Sequence, residues 1–457
     1  MNSQALLTII LGAGKGTRMK SKLPKVMHAV AGRSMLAHVI ALAEDAGSTS
    51  MVGVVGPDMD DVADVARTAN PSIKIAIQKE QRGTGDAVLA ARQELESHSG
   101  DVLVLYADTP LITSATLQRL RDALSDDVQV SVLGFEAEDP TGYGRLLTNS
   151  DGGLEAIREH KDCSEAERSV RLCNSGVMAF RVRDLAKLLD GLTTNNANGE
   201  YYLTDAVALV RAAGGQAAAV QCDETEVLGV NSRGQLAVAE AIWQARKRAA
   251  VMADGVTLIA PNTVWFSFDT DVGRDVIIEP NVVFGPGVKV DEDVTIKASS
   301  HIEGAHIGRG ARIGPFARLR PGADLGPETH IGNFVEVKNT KIGTGAKANH
   351  LSYLGDGDIG PKANIGAGTI FCNYDGFNKA KTEVGAGAFV GSNSSLVAPV
   401  KIGDGAFIGS GSVITRNVSP DALALERSEQ DERAGWAEKF RILMQKTKRA
   451  KAGKAKS

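Results

Sequence analysis

The feature that most restricts the fold lies after about residue 255, where aliphatic residues return at every sixth position. The run Ile307, Ile313, Leu319, Leu325, Ile331, Val337 slips by one to Ile342, Ala348, Leu354, and slips again to Ile359, Ile365. It resumes as Val384, Val390, Leu396, Ile402, Ile408, Ile414, and Val276, Val282, Val288, Val294 show the same step earlier. Glycine follows most of these positions, as in "IGRGAR", "IGPFAR", "IGDGAF" and "IGSGSV". A period of six matches neither a helix nor an isolated alternating strand. It is the signature of a hexapeptide-repeat parallel β-helix, in which three hexapeptides close a triangular coil of about eighteen residues. Coils stacked at ~4.8 Å over roughly 160 residues predict about nine coils and a prism roughly 40 Å long. A content of 50 glycines and only 5% aromatics suits such tight corners and small inward residues.

Residues 1 to about 233 are organised differently. Short apolar runs (6–11, 51–55, 73–78, 102–106, 130–135 and 177–180) alternate with amphipathic stretches such as 35–46, 84–95 and 114–124. That alternation predicts a mostly parallel sheet covered on both faces, with ligands at the carboxyl ends of its strands. Residues 234–254 lack proline and are rich in good helix formers, which predicts a connecting helix. The chain therefore divides into 1–233, a helix over 234–254, and a β-helix over 255–457. A net charge of −4 excludes a global nucleic-acid footprint. The longest N-terminal apolar run, about seven residues, is too short to span a membrane. It has no basic region or cleavage site before the fold begins, so a cytoplasmic protein is expected. Four scattered cysteines without a CxxC pair argue against a disulfide framework or a zinc site. The tail from Lys439, with eight Lys/Arg and no Asp/Glu, reads as a solvated, disordered end.

The loop "LGAGKGTRM" (11–19) follows the first apolar run. Lys15 is followed by Gly16 rather than Ser or Thr, so it is not a Walker A loop, and G-x-G-x-G is not the dinucleotide fingerprint. Its glycines still permit close approach of backbone N–H groups to phosphates, with Lys15, Arg18 and Lys25 as cations.

"LGAGKGTRM…LPK" resembles the sugar-nucleotidyltransferases, which join a sugar 1-phosphate to a nucleoside triphosphate and release pyrophosphate. Gly12 stands where that family usually has Ala, and Ala107 where "LYADTPLI" (105–112) usually reads Tyr-Gly-Asp. "QRGTGDA" (81–87), "PTGYGR" (140–145), "EHKD" (159–162), "NSG" (174–176), "GEYYLTD" (199–205) and "LGVNSR" (228–233) follow in order. With the C-terminal "HLSYLGD" and "CNYDGFNK", these resemble over nearly the whole chain the bacterial bifunctional uridylyltransferase/acetyltransferases. The resemblance implies an α/β Rossmann-like nucleotidyltransferase domain joined by a helix to a left-handed parallel β-helix. It implies that acetyl-CoA acetylates glucosamine 1-phosphate. UTP then uridylylates the product, which supplies cell-wall and lipopolysaccharide precursors.

By resemblance the UTP and UDP-N-acetylglucosamine site comprises Leu11, Gly12, Ala13, Gly14, Lys25, Gln78, Gly83, Thr84, Tyr106, Ala107, Asp108, Gly144, Glu159, Asn174 and Asn231. Asp108 and Asn231 hold Mg²⁺, Arg18 and Lys25 stabilise the phosphates, and the sugar phosphate attacks directly, without an enzyme nucleophile. Glu159 and Asn174 hold the sugar hydroxyls and N-acetyl group. In the prism, Arg320 and Lys338 each follow an inward aliphatic residue eighteen positions apart, so a regular coil stacks them on one face, where an anion between them is the natural partner. His350 is the candidate base, because an unperturbed imidazole is suited to removing a proton near neutral pH. Resemblance assigns Glu336 to orient His350. It assigns Arg320, Lys338, Tyr353, Asn364 and Lys379 to the sugar phosphate, and Ala367, Asn373, Tyr374, Ser392, Ser410 and Arg427 to acetyl-CoA. It also implies a homotrimer through the β-helix, with no nucleic acid and no membrane insertion. Two other readings are a single-activity nucleotidyltransferase with a regulatory prism and a non-catalytic assembly protein. His350 with Asn373-Tyr374 argues against the first, and the presence of Arg18, Lys25 and Asp108 against the second.

Overall fold

The computed structural model describes residues 5–14, 16–150 and 152–454, without side chains for 451–454; Lys15 lies outside the described residues. The chain forms two compact units, Met1–Val272 with Val283–Val288, and Gly273–Val282 with Lys289–Ser457.

In the first unit, seven strands run β1 (Leu6–Leu11), β2 (Ser50–Val55), β3 (Lys74–Ile77), β4 (Asp101–Tyr106), β5 (Val128–Glu136), β6 (Leu172–Phe180) and β7 (Gln216–Cys222). They are ordered β7-β5-β6-β4-β1-β2-β3 in space. Only β6 runs antiparallel to its neighbours, and a hairpin of Arg145–Thr148 and Leu154–Arg158 pairs onto it. β1 is central and buried throughout. Its period of two sends Leu6 and Ile10 toward α1 (Met35–Asp45) and Leu7, Ile9 and Leu11 into the opposite layer. The register Leu11↔Tyr106 brings the carboxyl ends of β1 and β4 side by side, so the segments leaving them are neighbours. α2 (Arg233–Ala253) closes the unit; Ser232 caps it by accepting from the Gln235 N–H. Gln235 Oε1 in turn accepts from the Asn231 N–H at 2.9 Å, so the helix cap fixes the segment that carries Asn231.

The second unit is a parallel β-helix. One column of inward residues runs Ile278, Ile296, Ile313, Ile331, Ala348, Ile365, Val390, Ile408, Ala424, each in register with the next. The chain advances sixteen to eighteen residues per coil, except from Ile365 to Val390, where twenty-five residues include a loop leaving the prism. On that loop Phe377 is 91% exposed. The tail departs from expectation: residues Trp436–Lys454 form α3 rather than a disordered end. The segment lacks proline, is rich in helix formers, and stacks Trp436 on Phe440 one turn on at 5.1 Å. Its described side chains are exposed, so the solvated part of the expectation holds.

Candidate active sites

A cleft of about 270 Å³ opens at the carboxyl ends of β1 and β4. It gathers Leu11, Gly12, Ala13, Gly14, Lys25, Gln78, Gly83, Thr84, Tyr106 and Asp108, together with Gln81 and Glu200, which the sequence did not single out. Lys25 begins a short turn after Pro24. Its Nζ donates to Asp108 Oδ2 at 2.5 Å and to Asn231 Oδ1 at 3.0 Å, so residues from three distant segments meet at one cationic point. Two hard oxygen donors already converging on a positive charge suit a divalent cation such as Mg²⁺. Arg18 sits exposed on the turn Thr17–Met19 and does not line the cleft.

On the opposite side, the buried Gln78 amide donates to the Gly83 carbonyl at 3.1 Å and to Asp86 at 2.9 Å. Gly83 has φ +118°, and a Cβ there would stand 2.5 Å from the Tyr201 carbonyl, so only glycine fits. Gln81 Nε2 donates to the Ala13 carbonyl at 2.5 Å and ties this segment to the Gly-rich loop.

Gly144, Glu159 and Asn174 form a third group. A Cβ on Gly144 would lie 3.4 Å from both Glu159 carboxylate oxygens and 3.5 Å from Asn174 Cβ. Burial pushes the Glu159 carboxyl up, opposed by the Thr204 hydroxyl that donates to it at 3.2 Å. Burial likewise raises the Tyr106 phenol, helped by the charges of Asp108 and Glu159. Tyr106 thus feels the charges of both Asp108 and Glu159.

The two departures from the family pattern are neighbours. A Cβ on Gly12 would lie 3.7 Å from Ala107 Cβ and 3.4 Å from the Val54 carbonyl, ordinary contact distances. Gly12→Ala is expected to fold without strain and to gain about 0.4–1 kcal/mol by restricting the unfolded chain. Thermal midpoints of the two proteins check this, and a lower midpoint for the variant would contradict it.

In the second unit one corner of the prism carries the predicted acetyl-transfer residues in line. Asn333 and His350 are in register one coil apart. The line continues through backbone bonds from Gly368 N–H to the His350 carbonyl, Asn393 N–H to Ala367, and Gly411 N–H to Ser392. Arg427 then donates to the Ser410 carbonyl at 2.8 Å.

Beside this line, Leu319↔Val337 register and the Arg320 N–H bond to the Val337 carbonyl place Arg320 one coil from Lys338, as their spacing required. The adjacent Lys379 amine is the main cause holding the Lys338 ammonium below its ordinary range, with Arg320 adding to it and Asp356 opposing. Lys338 and Lys379 line a cleft of about 610 Å³ that also includes Asp356, Lys341 and Lys381. Asp356, the last residue of "HLSYLGD" and given no role there, accepts from Asn373 at 2.5 Å and Asn339 at 2.7 Å and lies 4.0 Å from Lys338. Asn373 also reaches the Tyr353 hydroxyl at 3.4 Å. Tyr374 is exposed on the extruded loop, and Asn364 lies on the strand Asn364–Ile365, half-buried.

One expectation fails on geometry. Glu336 does not orient His350: its carboxylate accepts from Arg320 at 2.8 Å and lies 3.5 Å from Arg318. The His350 ring instead bonds Asn333 at 2.7 Å. Glu336 stacks in register on Tyr353, three residues past His350, so its side chain joins the cation cluster.

Comparison with known proteins agrees with this two-part arrangement. Residues 8–175 match the MobA-like NTP transferase domain, and residues 304–339 and 381–416 match the bacterial transferase hexapeptide repeats. The bifunctional protein GlmU of Azorhizobium caulinodans is 58% identical over 98% of this chain and 100% of its own length. This chain belongs to the GlmU family. GlmU proteins of Xanthobacter autotrophicus (56% identical, 98% of this chain and all of its own) and Agrobacterium fabrum (52%, 97% and 98%) are further relatives. As a member of this family, the chain is a bifunctional enzyme of UDP-N-acetylglucosamine synthesis, with uridylyltransferase and acetyltransferase activities. Among the described residues, no helix is long and apolar enough to cross a membrane.

Proposed function

We propose that residues 1–233 with the helix 234–254 carry the uridylyl transfer and residues 255–457 the acetyl transfer, each at the site described above. What carries the first assignment is the convergence of Lys25, Asp108 and Asn231. In this reading Asp108 and Asn231 hold Mg²⁺, which when bound supplies positive charge to the triphosphate oxygens. Lys25, next to these two donors, would neutralise the phosphates, with Arg18 as a second cation for them. Gln78, Gly83 and Thr84 take the uracil, and backbone N–H groups of residues 11–14 approach the phosphates. Glu159, Asn174 and Gly144 receive the N-acetylated sugar. The sugar phosphate oxygen attacks the α-phosphorus and pyrophosphate leaves. Ala107 N–H bonds the Leu11 carbonyl at 3.0 Å, so it helps position the loop that carries Asp108.

In the prism, Arg320, Lys338 and Lys379 receive the phosphate of glucosamine 1-phosphate, with Tyr353 and Asn364 toward the sugar. Acetyl-CoA lies along the corner line of Ala367, Ser392, Ser410 and Arg427, and Asn373 and Tyr374 approach its acyl end. His350 removes a proton from the substrate amine, whose nitrogen forms the new bond to the acetyl carbon as the thioester C–S bond breaks. Support for a homotrimer comes from the same corner. Phe316 and Phe334 stack at 5.3 Å and, with Leu351, stay more than half exposed beside His350. Such an apolar strip at a site suits burial against a second prism. A cytoplasmic location fits the small phosphorylated substrates.

The test separates the two chemistries by metal. Chelation with EDTA is expected to abolish pyrophosphate release from UTP and N-acetylglucosamine 1-phosphate. Thiol release from acetyl-CoA should continue. Loss of both, or of neither, would contradict the assignment, and sedimentation of the same samples reports whether the species is a trimer.

A further inference from the structure

We propose that Asn333 is the residue that positions His350 for proton abstraction, by accepting the Nδ1 proton and leaving the Nε2 lone pair free as the base. This rests on the reading of His350 as the acetyl-transfer base. The contact is His350 Nδ1 to Asn333 Oδ1 at 2.7 Å.

The fold repeats this geometry rather than leaving it to two flexible side chains. Asn333 and His350 occupy the same register position on successive coils. Each is followed by a residue in the left-handed region, Phe334 at φ 56° and Leu351 at φ 51°. The Leu351 N–H donates to the Asn333 carbonyl at 3.0 Å, so a backbone bond runs beside the side-chain bond between the same two coils. The Ser352 hydroxyl holds the His350 carbonyl at 2.9 Å.

A neutral imidazole carries one N–H, and the partner of one nitrogen decides which nitrogen is left to accept a proton. An amide oxygen facing Nδ1 places the proton there. It also restrains the ring without adding charge. Facing His350 are Asn333 and Phe334 from the preceding coil and Ala367 and Gly368 from the following one. The titratable groups on these strands are Lys347 and His330, in register with each other three positions away. Among the described residues no carboxylate bonds either ring nitrogen, and Glu336 is committed to Arg320.

The test compares Asn333→Ala, Asn333→Asp, Glu336→Gln and His350→Ala by kcat, KM and pH profile of thiol release, with uridylyl transfer as the folding control. Asn333→Ala is expected to lower kcat on the order of 10- to 100-fold, through misorientation of the ring, with KM for both substrates little changed. Asn333→Asp retains an acceptor and is expected to recover much of kcat. Its acidic limb should move to higher pH, because a carboxylate beside the ring favours the imidazolium and the free base appears later as pH rises. Glu336→Gln is expected to raise KM for the sugar phosphate without moving that limb. A wild-type kcat for Asn333→Ala, or an Asn333→Asp profile superimposed on wild type, overturns the proposal. A limb moved by Glu336→Gln alone returns the role to Glu336. If His350→Ala still transfers acetyl groups, the base reading itself fails and the proposal falls with it. If only His350→Ala is inactive, the positioning role alone is wrong.

Discussion

His350→Ala is expected to lower acetyl transfer by about 10²- to 10⁴-fold, the range for loss of a positioned general base, while uridylyl transfer keeps its wild-type rate. The substrate amine is an ammonium at neutral pH and cannot attack a thioester until a proton leaves. The prism offers few candidates for that proton. Lys338 and Lys379 stand in the cation cluster, and Asp356 and Glu336 are bonded to Asn373 and Arg320. His350 alone lies on the corner line shared with Ala367, Ser392 and Ser410. Stopped assays of free thiol check the loss, and a variant within about threefold of wild type would remove His350 from the chemistry.

The second large effect is at the other site. Asp108→Ala is expected to lower uridylyl transfer on the order of 10³-fold, with acetyl transfer unchanged. The side chain is 18% exposed and bonded to Lys25, itself 13% exposed, so removing it does two things. It deletes one of the two oxygen donors suited to the cation. It also leaves the Lys25 ammonium with Asn231 as its remaining partner here, free to settle in a different position. Asp108→Asn should retain the fold and lose activity nearly as far, since the amide keeps the shape but not the charge. Pyrophosphate release measures both, and a variant with wild-type release would contradict the role given to Asp108.

The prism was legible because its inward column is enforced at every coil, so Ile313, Ile331 and Ile365 report the period directly. The same regularity made the Arg320 and Lys338 stacking readable from a spacing of eighteen. Asn333 escaped notice because it lies only seventeen residues before His350, across the coil where the period slips by one between Val337 and Ile342. Following a strict eighteen would have pointed one residue away, and the family likeness pointed to Glu336. Gln81, the first residue of "QRGTGDA", was given no role for another reason: its bond to Ala13 joins two loops whose proximity follows from the order of β1, β2 and β3, not from any local pattern. β7 was missed because "QAAAVQC" is alanine-rich and half-exposed at the sheet edge, so neither β propensity nor alternation marks it. In α3, basic composition masked a segment otherwise made of helix formers.

The measurement closest to the central claim, two independent sites acting in sequence, uses one mixture of glucosamine 1-phosphate, UTP and Mg²⁺, with thiol and pyrophosphate followed separately. Without acetyl-CoA, neither product should form. On its addition, thiol should appear first and pyrophosphate after a lag. His350→Ala should release neither, and N-acetylglucosamine 1-phosphate should restore its pyrophosphate release to the wild-type rate. Pyrophosphate formed from glucosamine 1-phosphate without acetyl-CoA, or a His350→Ala protein that N-acetylglucosamine 1-phosphate fails to rescue, would contradict the account.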